Sequence, residues 1–197
     1  MPRWIEPLTL QGHHVSIEPM TAVHRDEIEA AAADGALWNL WYTSVPDPQG
    51  LEGWMAVALK QREEAGAMPF VIRRKSDSKV VGATRYFNVA AENRRLEIGH
   101  TFYSRSVHRT AVNSETKLLL LRHAFETLNC AGVELRTHFM NHQSRSAIER
   151  LGAKLDGILR CHQIMPDGSL RDTCVYSIVA HEWPAVRNHL TFRLSRD

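Results

Sequence analysis

What the sequence is short of narrows it first. It has three cysteines, Cys130, Cys161 and Cys174, widely spaced and with no Cys-x-x-Cys pair. An odd, scattered set fits reduced thiols with packing roles better than a disulfide framework. No apolar run approaches the ~20 residues that cross a bilayer, and the opening MPRWIEPLTL has neither the basic leader nor the apolar stretch of a secretion signal. The expectation is a cytoplasmic protein with no membrane partner. Neither sign of charge dominates, with 24 basic against 22 acidic residues and a net charge of +2, so no broad nucleic-acid footprint is expected. No repeat, low-complexity tract or charge block marks a linker. No Gly-Lys-Ser/Thr follows a glycine-rich loop, which disfavours a nucleoside triphosphate site.

What is there is a chain of 197 residues, 44% hydrophobic, enough for a single domain over 1–197 with a sizeable core. Periodicity predicts a strand at His14–Glu18, then a helix capped by Thr21 and running to about Ala33, with Val23, Ile28 and Ala31 or Ala32 inward. The segment ALWNLWYTSVPDPQG sets Trp38, Trp41 and Tyr42 close together before a Pro/Gly-rich loop. A helix over Leu51–Ala65 can bury Trp54, Met55, Ala58 and Leu59. PFVIRR and KVVGATRYF form a hairpin around Ser76-Asp77-Ser78, and RRLEIGHTFY adds a strand with Gly99 in its middle, a sign of a bulge or a close backbone approach.

A helix then runs to about Asn129, GVELRTHF is a short strand, and NHQSRSAIERLGA is a helix with Asn141 at its cap, Ile148 and Leu151 inward and Gly152 at its end. AKLDGILRCHQIM and LRDTCVYSIVA are strands joined by PDGS, and HEWPAVRNHL closes as a short helix. This order is that of an α/β (α+β) domain, a mixed sheet with helices on both faces.

The stretch SVHRTAVNSETKLLLL, residues 106–121, passes from a polar turn into an apolar helix. The first N–H groups of such a helix have no intrahelical acceptors, and with the positive end of the dipole they can seat an anion such as a phosphate. An ordinary helix cap is the alternative. Either way, a ligand site between a central strand and the following helix suits this architecture.

Three patterns together resemble the GNAT acetyltransferases, in the branch that includes the ribosomal-protein N-terminal (RimJ/RimL-type) enzymes. They are RLEIGHTFY, His108-Arg109-Thr110-Ala111-Val112-Asn113 followed by Ser114-Glu115, and FMNHQSRSAIERLGA, and the likeness runs from about Leu8 to Arg187. The ending PDGSLRDTCVYSIVAHEWPAV also resembles this branch. The resemblance implies a mostly antiparallel, twisted sheet with a splayed central strand pair. It implies that the amides of His108 to Ser114 hold the pyrophosphate of acetyl-CoA, although His108 stands for Gln or Arg, Ala111 for the middle glycine and Asn113 for a small residue. It further implies that the pantetheine arm lies where Glu97–Tyr103 parts from Val133–His138, against backbone groups of Phe102 and Tyr103.

By the same resemblance Glu97 is the candidate base through a water, with His100 as second candidate or cleft wall. Ser144 is the candidate donor to the departing thiol, and Asn141 holds cofactor or water beside it. Trp38, Trp41 and Tyr42 are candidate acceptor-binding residues. Each has a plainer reading: an ion-paired Glu97, an exposed Ser144, aromatics in the core. Arg145 and His142 are expected to face solvent or the nucleotide end, Lys117 and Arg122 the phosphates or solvent, and His13-His14 a solvated strand edge. His138 and His142 lack the further ligands of a metal set, so no metal is expected.

The implied activity is transfer of acetyl from acetyl-CoA to a primary amine, a protein N-terminus or a small molecule, by direct attack in a ternary complex. No cysteine lies in the motif segments to carry the acyl group. An α-amine is roughly a tenth neutral at pH 7 against about one lysine in two thousand, so it needs less help. A weakly charged, aromatic cleft leans toward a small or uncharged acceptor. A CoA-binding module without catalysis is the alternative, and a homodimer is left open.

Overall fold

The computed structural model describes residues 4–43 and 45–196, so the first three residues of the N-terminal stretch, Ser44 of the aromatic loop and the last residue lie outside it. Eight strands form one sheet in the order β1-β2-β3-β4-β5-β6-β8-β7. They are β1 Leu10–Gln11, β2 Val15–Pro19, β3 Met68–Arg74, β4 Val80–Ala90, β5 Arg95–Tyr103, β6 Gly132–His138, β7 Lys154–Ile164 and β8 Leu170–Val179. Neighbours are antiparallel except β5 and β6, which run parallel. The helices are α1 Arg25–Ala33, α2 Leu51–Glu64, α3 Ala111–Arg122, α4 His142–Glu149 and α5 Trp183–Leu194. Among the described residues no helix is long and apolar enough to cross a membrane.

Alternation in the strands divides the core in two. Met68, Phe70 and Ile72 of β3 point to one face with Leu118–Leu121 of α3 and Trp183 and Leu190 of α5. Val71, with Ala83 of β4, points to the other, where Ile28, Ala31 and Ala32 of α1 and Leu51, Met55 and Ala58 of α2 cover it. With both faces covered, β3 reads as a continuous apolar run instead of an alternating one.

Several expectations shift in detail. The first helix opens as a 3-10 turn over Ala22–His24, and this leaves Val23 84% exposed. Trp54 and Leu59 are half-buried, whereas Met55 and Ala58 are buried. The long helix ends as α3 at Arg122 and continues as a π-helical turn over His123–Thr127. Cys130 and Cys174 pack in the core as expected, but Cys161 is exposed on the edge strand β7.

One carboxylate ties the chain's beginning to the helix of the site. Glu115, in the first turns of α3, is buried and accepts the backbone N–H groups of His13 and His14 at 2.7 Å and of Val15 at 2.8 Å. A Cβ on Gly12 would run into this carboxylate. His13 and His14 are therefore an anchored turn and not only a solvated edge.

Candidate active site

The pairing of β5 with β6 stops at Glu97 and Glu134. Beyond that fork β5 follows β4 and β6 follows β8, so the two strands splay apart as expected. A cleft of about 1750 Å³ opens there, bounded by β5, β6, the start of α3, α4 and the end of the β7–β8 hairpin.

A bulge sets the direction of β5 within it. Ala83 pairs with Phe102 and Arg85 with Gly99, so Thr84 alone faces both His100 and Thr101. The left-handed residue of the bulge is His100, at φ 47°, and not Gly99. Gly99 sits beside the bulge, and what approaches it is a side chain and not a backbone: a Cβ there would lie 2.6 Å from Phe87 Cε1. A non-glycine residue in that conformation costs roughly 1–2 kcal/mol, strain of the kind that gathers at functional sites.

Ser104 N donates to Val81 O at 2.8 Å, and hydrogen-bonded pairs alternate along an antiparallel ladder. The pair two residues on, Phe102 with Ala83, therefore turns its backbone groups toward β4, and those of Thr101 and Tyr103 face the opening. This corrects Phe102, whose ring packs against Trp54 in the second core cluster; the missed residue is Thr101. The Tyr103 carbonyl meets His108 Nε2 at 3.0 Å, so His108 braces the loop by its side chain.

The helix start that the sequence offers as an anion seat lines the cleft. Thr110 caps α3, its Oγ1 accepting from Val112 N at 3.4 Å and donating to Val107 O at 2.7 Å. His108, Arg109, Thr110, Asn113 and Ser114 line the cleft, whereas Ala111 and Val112 are buried toward the opposite side. The left-handed residue of the loop is Arg109, at φ 62°. Ala111 and Asn113 are both within the first turn of α3, so neither substitution for a small residue strains the backbone.

Glu97 stands at the fork, 4% exposed. Its Oε2 accepts from Asn88 Nδ2 at 2.8 Å and lies 3.3 Å from Arg136 Nε. Burial pushes its carboxyl above the ordinary value, although Asn88 and Arg136 pull the other way. Glu134, which burial alone would also raise, is held low by Arg136 and Arg95. His100 opens to the cleft with its ring edge-on to Phe87 at 4.8 Å. Crowding by the walls, with Arg85 and Arg171 nearby, lowers it to about 4, so the imidazole is neutral at neutral pH.

Asn141 caps α4 by accepting Ser144 N at 3.0 Å, and both residues line the cleft. Arg145 differs from expectation: it is half-buried, donating to the Tyr176 hydroxyl at 3.1 Å and stacking over Phe139. Of the three aromatics, Tyr42 lines the cleft, Trp41 packs edge-on against His138 at 5.0 Å, and Trp38, half-buried, packs against the second core cluster. Lys117 is a further correction. It is buried, lines the cleft and donates from Nζ to Thr101 Oγ1 at 3.1 Å, and burial brings it down to about 7. Its place beside the bulge, one helical turn past Asn113, was the available signal.

Among the described residues no cluster of three or more His, Cys, Asp or Glu could hold a metal ion. Unpaired strand groups at a fork and free amides at a helix start suit an extended, diphosphate-bearing molecule.

Residues 14–154 match the acetyltransferase (GNAT) domain family. A solved structure from T. thermophilus, assigned as an acetyltransferase, is 32% identical over 97% of this chain and 99% of its own, with a TM-score of 0.84. A GCN5-related N-acetyltransferase from Brucella melitensis is 28% identical over 98% of this chain and 87% of its own, also at TM-score 0.84. RimJ of Mycobacterium smegmatis, solved in complex with CoA-disulfide, shares the fold at 21% identity and TM-score 0.79, with 95% of each chain covered. No curated relative matches the chain.

Proposed function

From the premise that the chain belongs to the GNAT acetyltransferase family, we propose that it transfers an acetyl group from acetyl-CoA to a primary amine by direct attack in a ternary complex. Acetyl-CoA, when bound, supplies an activated thioester. The observation that carries the reading is the fork: a buried carboxylate, Glu97, stands where β5 and β6 part, below a helix start with free amides.

The residues divide the work by position. The amides at the start of α3, with the side chains of Arg109, Asn113 and Ser114 lining the approach, hold the diphosphate. The backbone of Thr101 and the N–H of Tyr103, whose carbonyl is already taken by His108, offer the fork groups against which an extended amide chain can lie. The bulge at His100 turns the N–H of the following residue toward the place where negative charge develops on the thioester oxygen. Glu97, raised by burial yet ionisable, accepts a proton from the incoming amine through a water. Ser144, at the end of the Asn141 cap, donates to the departing sulfur.

The test is titration with acetyl-CoA followed by release of free thiol across a panel of amines. Thiol release that depends on the amine and falls on Glu97→Gln supports transfer. Tight binding without turnover for any amine would instead support a CoA-binding module.

A further inference from the structure

The geometry points to an anion-binding corner in the acceptor half of the cleft, which selects amines that carry a carboxylate, acceptors resembling amino acids. This rests on the acetyl-transfer reading above.

His138, at the end of β6, lines the cleft and is 5% exposed. Its Nδ1 accepts the Met140 N–H at 3.0 Å, which fixes the ring proton on Nε2. That nitrogen is buried and has no hydrogen-bond partner among the described residues. A buried donor without an acceptor is costly and uncommon in folded proteins. Here it is a donor that a ligand oxygen can satisfy.

The neighbours have the same bias. Thr173 on β8 is the cross-strand partner of His138; its Oγ1 accepts from Arg171 Nε at 3.0 Å and lies 3.1 Å from His162 Nδ1. Arg171 is half-buried in the cleft wall, and none of the ion pairs among the described residues includes it. The adjacent carboxylates are engaged elsewhere. Asp172 alternates to the other face of β8, where it takes Arg160 Nε and Cys161 N. Glu97 is held by Asn88 and Arg136.

The corner therefore offers a guanidinium and a fixed imidazole N–H; the two acids whose charges reach it, Glu97 toward Arg171 and Asp172 toward His138, make their hydrogen bonds to other partners. Trp41 and Tyr42 stand near the His138 ring, at 5.0 and 6.5 Å, and wall this end of the corner. A carboxylate is the anion whose paired oxygens suit a guanidinium. Glu97 serves the amine of the same molecule. A polyamine or other cation would meet Arg171 unfavourably.

The deciding experiment compares amino acids with their own carboxamides, and with spermidine, as acceptors for wild type, Arg171→Met and Arg171→Lys. The carboxamide amines are less basic and so more often neutral, hence a preference for the acids would not reflect amine ionisation. Wild type is expected to favour the acids by roughly tenfold or more in kcat/KM, the value of one charged hydrogen bond. Arg171→Met should erase that preference, Arg171→Lys restore part of it, and neither change the affinity for acetyl-CoA. Equal or better use of carboxamides or spermidine, or a preference that survives Arg171→Met, overturns the corner. Should no amine be turned over, the transfer reading fails separately. Binding of N-acetyl amino acids against N-acetyl carboxamides to CoA-saturated protein then decides the corner: preference for the acids supports it, and equal binding overturns it.

Discussion

Glu97 Oε2 lies 3.3 Å from Arg136 Nε across the fork where the parallel pair β5–β6 ends. The carboxylate is raised by burial and pulled down by Asn88 and Arg136, so its basicity is a balance that substitutions can move in either direction.

Glu97→Gln should lower kcat by about 10²–10⁴, the usual contribution of a general base. It should also raise stability. A carboxyl whose folded pKa is raised binds its proton more tightly in the native state, so its favourable contribution is present in acid and is lost as pH climbs through the folded pKa. Above the folded pKa the buried charge costs stability, and Glu97→Gln should there raise Tm, by about 2–4 °C per kcal/mol at this chain length. Paired kinetics and thermal melts check both signs.

Arg136→Met removes one of the charges that lowers Glu97. The acid limb of the kcat/KM profile should move to higher pH, while Glu134 retains Arg95 at 2.9 Å. An unmoved limb would mean that another group titrates there.

Lys117 is a buried cation held at about 7 by burial, with Thr101 Oγ1 as its hydrogen-bond acceptor. Its folded pKa lies below the value of ~10.4 for an unfolded lysine. Between those values the unfolded chain holds a proton that the native one lacks, so stability gains up to ~1.4 kcal/mol per pH unit from this residue as pH rises. Lys117→Met should be more stable than wild type at pH 7, and the gap should close toward pH 10. Denaturant titrations at a series of pH values measure the difference.

Glu115→Ala leaves three backbone N–H groups of His13, His14 and Val15 without their acceptor. At ~1–3 kcal/mol for each buried donor left unsatisfied, a loss of about 3 kcal/mol is expected in urea unfolding. Acetyl-CoA should bind more weakly as the start of α3 loosens. Glu115→Gln keeps one acceptor oxygen and should fall between.

Ser144→Ala leaves the Asn141 cap intact, because the cap uses the Ser144 backbone N–H. Melting should be unchanged while kcat falls by one to two orders of magnitude, with KM for acetyl-CoA little altered. Asn141→Ala should instead cost about 1 kcal/mol of stability. A Ser144→Ala enzyme with wild-type kcat would remove the serine from proton transfer.

Local chemistry was legible wherever it depended on neighbours in sequence. The β3–β4 hairpin, the Asn141 cap, Gly152 after α4 at φ 99° and the PDGS turn all follow from propensity and short-range hydrogen bonds. So does the order of elements, and with it the position of the helix start at α3. The splayed β5–β6 pair was expected from the family resemblance and not from periodicity; its parallel direction emerged only in the structure.

Tertiary structure decided which groups are spent and which remain free. Nothing in the sequence says that Lys117 turns inward to Thr101, that Glu115 reaches back about a hundred residues to three amides, or that the left-handed residue of the bulge is His100 beside Gly99. Trp38 and Trp41 are three apart and chemically alike, yet one packs half-buried against the second core cluster and the other stands against His138. The physical reason is that burial, desolvation and the last unpaired hydrogen bond depend on residues far apart in the chain. The sequence determined where helices and strands begin; packing determined which polar atoms were left facing the cleft.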